Sequence, residues 1–162
     1  MFFILAPDEL RRLRSAKGDP SRRSIVADIE EAAAPEACCA VDKAWYYINS
    51  CVKSPRFPVA HQAAQLAVSG GRQLHRGSGY VINLVTESQV EAAADALEAI
   101  GEAEFRAVFH AEETFAFNRQ HFGYTPDDEK RRYCWTWFQR LGPFFRVAAR
   151  TGRPVIFTVD CT

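Results

Sequence analysis

Apolar positions along the chain follow two spacings, and the switches between them outline its elements. Residues 1–6, Met1-Phe2-Phe3-Ile4-Leu5-Ala6, are a run of aromatic and branched side chains too short for a helix, which predicts a short buried strand. Pro7 suits the first position of a helix carrying Leu10 and Leu13. Lys17-Gly18-Asp19-Pro20-Ser21-Arg22-Arg23 combines Gly, Pro and charge and predicts a loop, before a weak helix from Ile25 to Ala34. Asp42 is a candidate N-cap for a helix with Trp45, Ile48 and Val52 on one face. Ser54-Pro55-Arg56-Phe57-Pro58 breaks that helix, and Pro58 opens another through Leu66 and Val68.

Residues 69–79 form a Gly-rich connection, and Tyr80 to Val85 is the clearest internal strand. Thr86-Glu87-Ser88-Gln89 has the spacing of a capping box for a helix carrying Val90, Ala94, Leu97 and Ile100, which Gly101 ends. Phe105, Val108 and Phe109 mark a short amphipathic turn, and residues 111–124 are aromatic and irregular. Thr125-Pro126-Asp127-Asp128 predicts the start of a last helix, with Thr125 as cap and Pro126 first, its core stripe running from Cys134 to Ala148 and kinked at Gly142-Pro143. Residues 154–159 close the chain as a strand. Strands at the start, middle and end, separated by helices, define an α+β class: a three- to four-stranded sheet against several helices, in one domain over 1–162.

With 48% hydrophobic and 25% charged residues in a chain of 162, the composition is globular and the core large enough to stand without staples. A net charge of zero argues against a protein built on the phosphate backbone, so a nucleic-acid partner is not expected. No stretch approaches the roughly 20 apolar residues that span a bilayer, and the five cysteines include no C-x-x-C. A cytoplasmic protein with reduced thiols, no cofactor and no metal is the expectation.

Four groups of residues carry a family resemblance: Asp42-Lys43-Ala44-Trp45; Gly79-Tyr80 running into Thr86-Glu87-Ser88-Gln89-Val90-Glu91; Glu102-Ala103-Glu104-Phe105-Arg106; and Phe138, Leu141, Phe144, Phe145, Ala148 and Ala149 followed by Gly152 and a strand. As an ordered set they resemble the YfbM-like family of small bacterial proteins of unknown function. The resemblance implies an α+β domain and brings no activity with it. Asn49 stands where that family often has a histidine, so a catalytic role carried by such a histidine would be missing here.

The histidines, His61, His75, His110 and His121, show no H-x-x-x-H spacing that would give a metal two ligands from one helix face. The glycines around Arg72 and Arg76 lack the G-K-[ST] of a phosphate loop and precede a strand instead of following one, which favours a plain loop or hairpin turn. No catalytic residue is assigned. A ligand pocket drawing on the Gly-rich loop would use Trp45, Asn49, Arg72 and His75, in a small-molecule-binding or hydrolytic protein.

Two charged surfaces point instead to a non-enzymatic protein-binding module, one version being a protein that masks a bacterial partner as immunity proteins do. Glu87, Glu91, Asp95, Glu98 and Glu102 fall on one helical ridge away from the Val90–Leu97 face. Like charges so spaced disfavour an isolated helix by about 0.2–0.5 kcal/mol per pair unless cations lie near. Arg132, Trp135, Gln139, Arg146 and Arg150 fall on the outer side of the last helix, a composition suited to an interface. The two surfaces could also meet within one molecule or across the axis of a homodimer.

Overall fold

A computed structural model of the protein describes residues 1–57, 62–68, 71–77 and 80–160. Its strands are β1 (Phe2–Ile4), β2 (Cys38–Cys39), β3 (Arg72–Gly77), β4 (Tyr80–Val85) and β5 (Val155–Asp160). They form one antiparallel sheet in the order β2-β1-β5-β4-β3. The sheet is α+β in class as expected but has five strands, not three or four. Both additional strands lie at its edges. β2 has only two residues, and β3, Arg-Gln-Leu-His-Arg-Gly, replaces much of the expected Gly-rich connection. An edge strand pairs on one side alone and needs no apolar alternation, so β3 leaves little pattern in the sequence. Residues 69–70 and 78–79 of that connection lie outside the described residues.

Alternation in the inner strands sends side chains to two cores. Phe2, Ile4, Val85, Val155 and Phe157 face the larger one. Phe3, Leu5, Ile82, Leu84 and Ile156 face the smaller one. Helices α1 (Pro7–Ser15) and α2 (Asp19–Ala32) cover the smaller core through Leu10, Leu13, Val26 and Ile29. The segment expected to be a loop is thus helical from Asp19, because Pro20 falls in the first turn, where its missing N–H is harmless.

The larger core is covered by α3 (Ala44–Val52), α4 (Gln62–Val68), α5 (Val90–Ala99), α6 (Glu102–Phe109), α8 (Asp128–Phe138) and α9 (Leu141–Arg150), while α7 (Ala116–Phe122) adds no described residue to it. Pro58, the expected helix opener, lies outside the described residues. Residues 111–124 are more regular than their composition suggests, holding a 3₁₀ turn at Glu112–Phe115 and then α7. Thr86 N–H donates to Gln89 Oε1 at 3.0 Å, the backward half of the expected capping box.

The last helix is two helices. Its register breaks at Gln139-Arg140, and Pro143 sits within the first turn of α9, so no mid-helix kink forms. Asp127, not Thr125, caps α8, accepting from Lys130 N–H at 2.7 Å. Gly142 lets α9 approach α5 closely: a Cβ there would stand 2.9 Å from Glu98 Cγ. Among the described residues no helix is long and apolar enough to cross a membrane.

Candidate functional site

β1 is half the length of β5, and the difference opens a notch at one end of the sheet. Met1 and Thr158 exchange backbone hydrogen bonds, Met1 N donating at 2.7 Å and Thr158 N at 2.9 Å. Beyond them β5 continues as Val159 and Asp160, paired with β4 on its other side. A cleft of about 630 Å³ occupies the notch. Both helical layers reach it: α2 supplies Glu30, and the opposite layer supplies Trp45 from α3 and Trp137 from α8. Tyr80, Asp42 and Lys43 complete its polar lining.

Two tyrosines orient the two carboxylates. Glu30 Oε1 accepts from the Tyr80 hydroxyl at 3.1 Å and from the Thr158 hydroxyl at 3.0 Å. Asp42 Oδ2 accepts from the Tyr133 hydroxyl at 2.6 Å. Burial and then the neighbouring Glu30 push the Tyr80 phenol up to about 12. Burial and then the bond to Asp42 push Tyr133 up to about 12. Both phenols therefore keep their protons at neutral pH and stay donors. The Tyr133 bond holds the Asp42 carboxyl below its usual range. The Met1 amine, lowered to about 6 mainly by burial, adds little positive charge at neutral pH.

Asp42 does not cap α3 as its position suggests. Its backbone adopts φ +43, and α3 begins at Ala44 behind Lys43 with no side-chain cap bond. A non-glycine residue in that region is strained, and such strain is held only where the surroundings impose it. Here the imposed geometry aims the carboxylate at Tyr133, 91 residues away.

An aromatic surface runs from the cleft along α3. Trp45 meets Tyr46 edge-on with ring centres 6.0 Å apart, Tyr46 meets Tyr47 at 5.6 Å, and Tyr47 stacks on Tyr124 at 5.2 Å. On the neighbouring α8, Tyr133 and Trp137 are 6.3 Å apart. Tyr46 is 41% exposed and Tyr133 37%. Arg140 lies over the Trp137 ring at 4.9 Å. Partly exposed Trp and Tyr beside an Arg form the composition that concentrates binding energy in protein contacts.

The residues expected from the sequence are placed as follows. Of the pocket set, Trp45 lines the cleft, while Asn49, Arg72 and His75 do not. Arg72 is exposed on β3, and His75 is buried beneath α2 with Nδ1 3.0 Å from Asp19 Oδ1, in a geometry that is not a hydrogen bond. The acidic ridge and the arginines partly meet within the chain: Arg146 bridges Asp95 at 2.5 Å and Glu98 at 2.6 Å, and Arg14 approaches Glu87 at 3.4 Å. Arg131, nearly fully buried, bridges Glu102 at 2.9 Å and Asp128 at 3.2 Å. Trp135 is half-buried against Phe105 and Phe138, at 5.5 and 5.7 Å. Glu91, Arg132 and Arg150 remain exposed. Among the described residues no group of three His, Cys, Asp or Glu is placed to hold a metal.

Sequence reasoning did not find Glu30, Tyr80, Tyr133 and Trp137 as site residues. The available signal was the alternation of α8, in which Tyr133 and Trp137 are four apart and so share a face distinct from that of Trp135.

The fold and cleft define a class: an α+β protein with an antiparallel sheet between two helical layers and an acidic, aromatic-walled cleft at the sheet's end. The chain belongs to the DUF1877 family, a domain of unknown function, which matches residues 1–158. Its fold is similar to that of YfbM from Escherichia coli, a protein of unknown function, with a TM-score of 0.69 at 18% sequence identity. That likeness covers 98% of this chain and 97% of the other. No curated protein matches the sequence.

Proposed function

We propose that the chain is a non-enzymatic protein-binding module whose contact face is the notch cleft with the aromatic surface along α3. The observation that carries this reading is the continuity of half-exposed Trp45, Tyr46, Tyr133 and Trp137 around the cleft mouth. These side chains present broad apolar area with few rotatable bonds, so fixing them against a partner costs little entropy. The hydroxyls of Tyr80, Tyr133 and Thr158 are engaged in orienting Glu30 and Asp42, which suits a preformed binding surface. The ridge of α5 is a weaker candidate, because Arg146 already neutralises Asp95 and Glu98.

Hydroxyl-radical footprinting tests the reading with an internal control on α8. Oxidation of Trp137, Trp45 and Tyr46 is expected to fall severalfold when the protein is probed in extract of its own host instead of buffer. Trp135, two residues from Trp137 but turned to another face, is expected to keep its rate. Protection of Trp135 with none at Trp137 would place the contact on the arginine side of α8 and refute the proposed face.

A further inference from the structure

The aromatic surface along α3 leads into a smaller pocket of about 250 Å³, whose described lining is Tyr46, Tyr47, Asn118 and Tyr124. Its floor is set by α7. Arg119 Nη2 donates to the carbonyls of Ala111, at 3.0 Å, and of Glu112, tying α7 to the 3₁₀ turn before it. Gly123 then ends the helix in the left-handed region at φ +63. Asn118 is thereby held against α3 and is only 8% exposed, yet its amide is half used. Its Oδ1 accepts from the Tyr46 hydroxyl at 2.7 Å, whereas its Nδ2 has no partner among the described residues. That nitrogen is not sealed in, and Asn118 forms part of the pocket wall. A buried polar side chain with unpaired donors is rare and calls for a partner.

The remaining surface narrows what that partner can be. The described lining holds no carboxylate and no cation, so nothing in it favours a charged ligand. Lys130 lies over the Tyr124 ring at 5.1 Å and is itself paired with Asp127, and Tyr47 stacks on the same ring. Tyr124 is therefore a wall, and the open ring is that of Tyr46, 41% exposed and edge-on to Tyr47. Beside Asn118 on α7, Phe117 is 63% exposed, more than any other large apolar side chain among the described residues. The site thus asks for an apolar group that brings a hydrogen-bond acceptor and no donor, because the amide's own acceptor is taken. Within a polypeptide, proline meets both conditions: its backbone has a C=O and no N–H, and its ring is apolar. Its fixed φ also lowers the entropy lost on docking to an aromatic-lined groove.

We propose that the pocket between α3 and α7 receives a proline-rich segment of the protein partner, a prolyl ring lying against Tyr46 and a backbone carbonyl accepting from Asn118 Nδ2. The inference rests on the binding-module reading for the source of that segment, and the pocket supplies its chemistry. A residue with a free N–H at the same place would bring a donor to an amide whose oxygen is already engaged by Tyr46.

The free amide makes the test direct, because its N–H pair is itself a signal. Acetyl-hexaproline amide, titrated into the ¹⁵N-labelled full chain, is expected to shift the Asn118 side-chain pair and the Tyr46 backbone N–H saturably, leaving the indole signal of Trp135 in place. Acetyl-(Gly-Ser)₃ amide, equal in length and rich in N–H groups, should bind at least about tenfold more weakly; tenfold corresponds to about 1.4 kcal/mol. Hexaproline should weaken at least as much toward Tyr46→Ala, read at the Asn118 pair, and toward Asn118→Asp, read at the Tyr46 N–H. Tyr46→Ala removes an exposed ring, and Asn118→Asp keeps an oxygen for the Tyr46 hydroxyl while losing the N–H donors. An unmoved Trp135 signal verifies that each variant has folded. Equal binding of the Gly-Ser peptide, or no saturable shift with hexaproline, would overturn the inference even if footprinting showed protection of the face. Saturable, proline-dependent binding with no protection in extract would uphold the prolyl site and overturn a host protein as its source.

Discussion

Replacing Phe2 with alanine is expected to destabilise the protein by about 3–5 kcal/mol, the cost of removing a large aromatic side chain from a close-packed core. Phe2 is fully buried. Its ring lies 4.8 Å from Phe157 on the neighbouring strand, 6.0 Å from Phe145 and 6.5 Å from Phe144 on α9. It therefore joins the sheet to the helix that in turn packs on α5, and the cavity left by alanine would have rigid strand on one side and helix on the other. Urea unfolding measures this as a lower midpoint with an unchanged slope. A loss below about 1 kcal/mol would mean that the sheet and α9 close the gap freely, contrary to the packing described.

Gly71→Ala is expected to produce the second large loss, at least about 2 kcal/mol. Two costs add at this position. The backbone at Gly71 has φ +75, and a Cβ there would stand 2.2 Å from the Leu84 carbonyl oxygen and 2.8 Å from its carbon. Those are backbone atoms of β4, held by pairing on both sides, so they cannot move aside as a side chain would. Gly123 provides the comparison: its φ is +63 and nothing lies within 4 Å of its would-be Cβ. Gly123→Ala should thus cost only the conformational part, about 1–2 kcal/mol. Equal losses at the two positions in urea unfolding would show that contact with β4 contributes nothing.

Much of the fold can be read from alternation and capping residues, and the exceptions share a physical origin. Strands β1, β4 and β5 each bury at least one face, so their branched and aromatic residues mark them clearly. β2 and β3 pair at the edges, where hydrogen bonding to a neighbour decides the conformation and side-chain pattern does not. The helix after Cys134 reads as continuous because the apolar stripe passes through Gln139-Arg140 without interruption, although the helical hydrogen-bond ladder breaks there, Arg140 N–H donating to Trp137 O. Charge patterning located the α5 ridge and Arg146 but could not reveal that they face each other, since α5 and α9 meet only through tertiary packing at Gly142.

The cleft was less legible for the same reason. Trp45 stood out as an aromatic in a marked segment, but its partners come from four other parts of the chain. Glu30 belongs to a helix whose sequence signal is weak, and Asp42 looks like an ordinary cap. Their roles arise from hydrogen bonds to Thr158, 128 residues from Glu30, and Tyr133, 91 residues from Asp42. No local pattern encodes a contact of that span. The sequence predicts a first strand over 1–6, as long as the closing one over 154–159, whereas β1 holds only Phe2–Ile4. The notch follows from that difference and from the register of Phe2 opposite Phe157, neither of which is a local property of the sequence.

The most direct measurement of the central claim is photo-crosslinking in host cells from two single positions of the full-length chain, with p-benzoylphenylalanine replacing Tyr46 in one variant and Glu91 in the other. A discrete protein adduct from position 46 and none from position 91 is the predicted result, because the aromatic surface beside the cleft is the contact face. An adduct from position 91 with none from position 46 would contradict it and move the contact to the acidic ridge of α5.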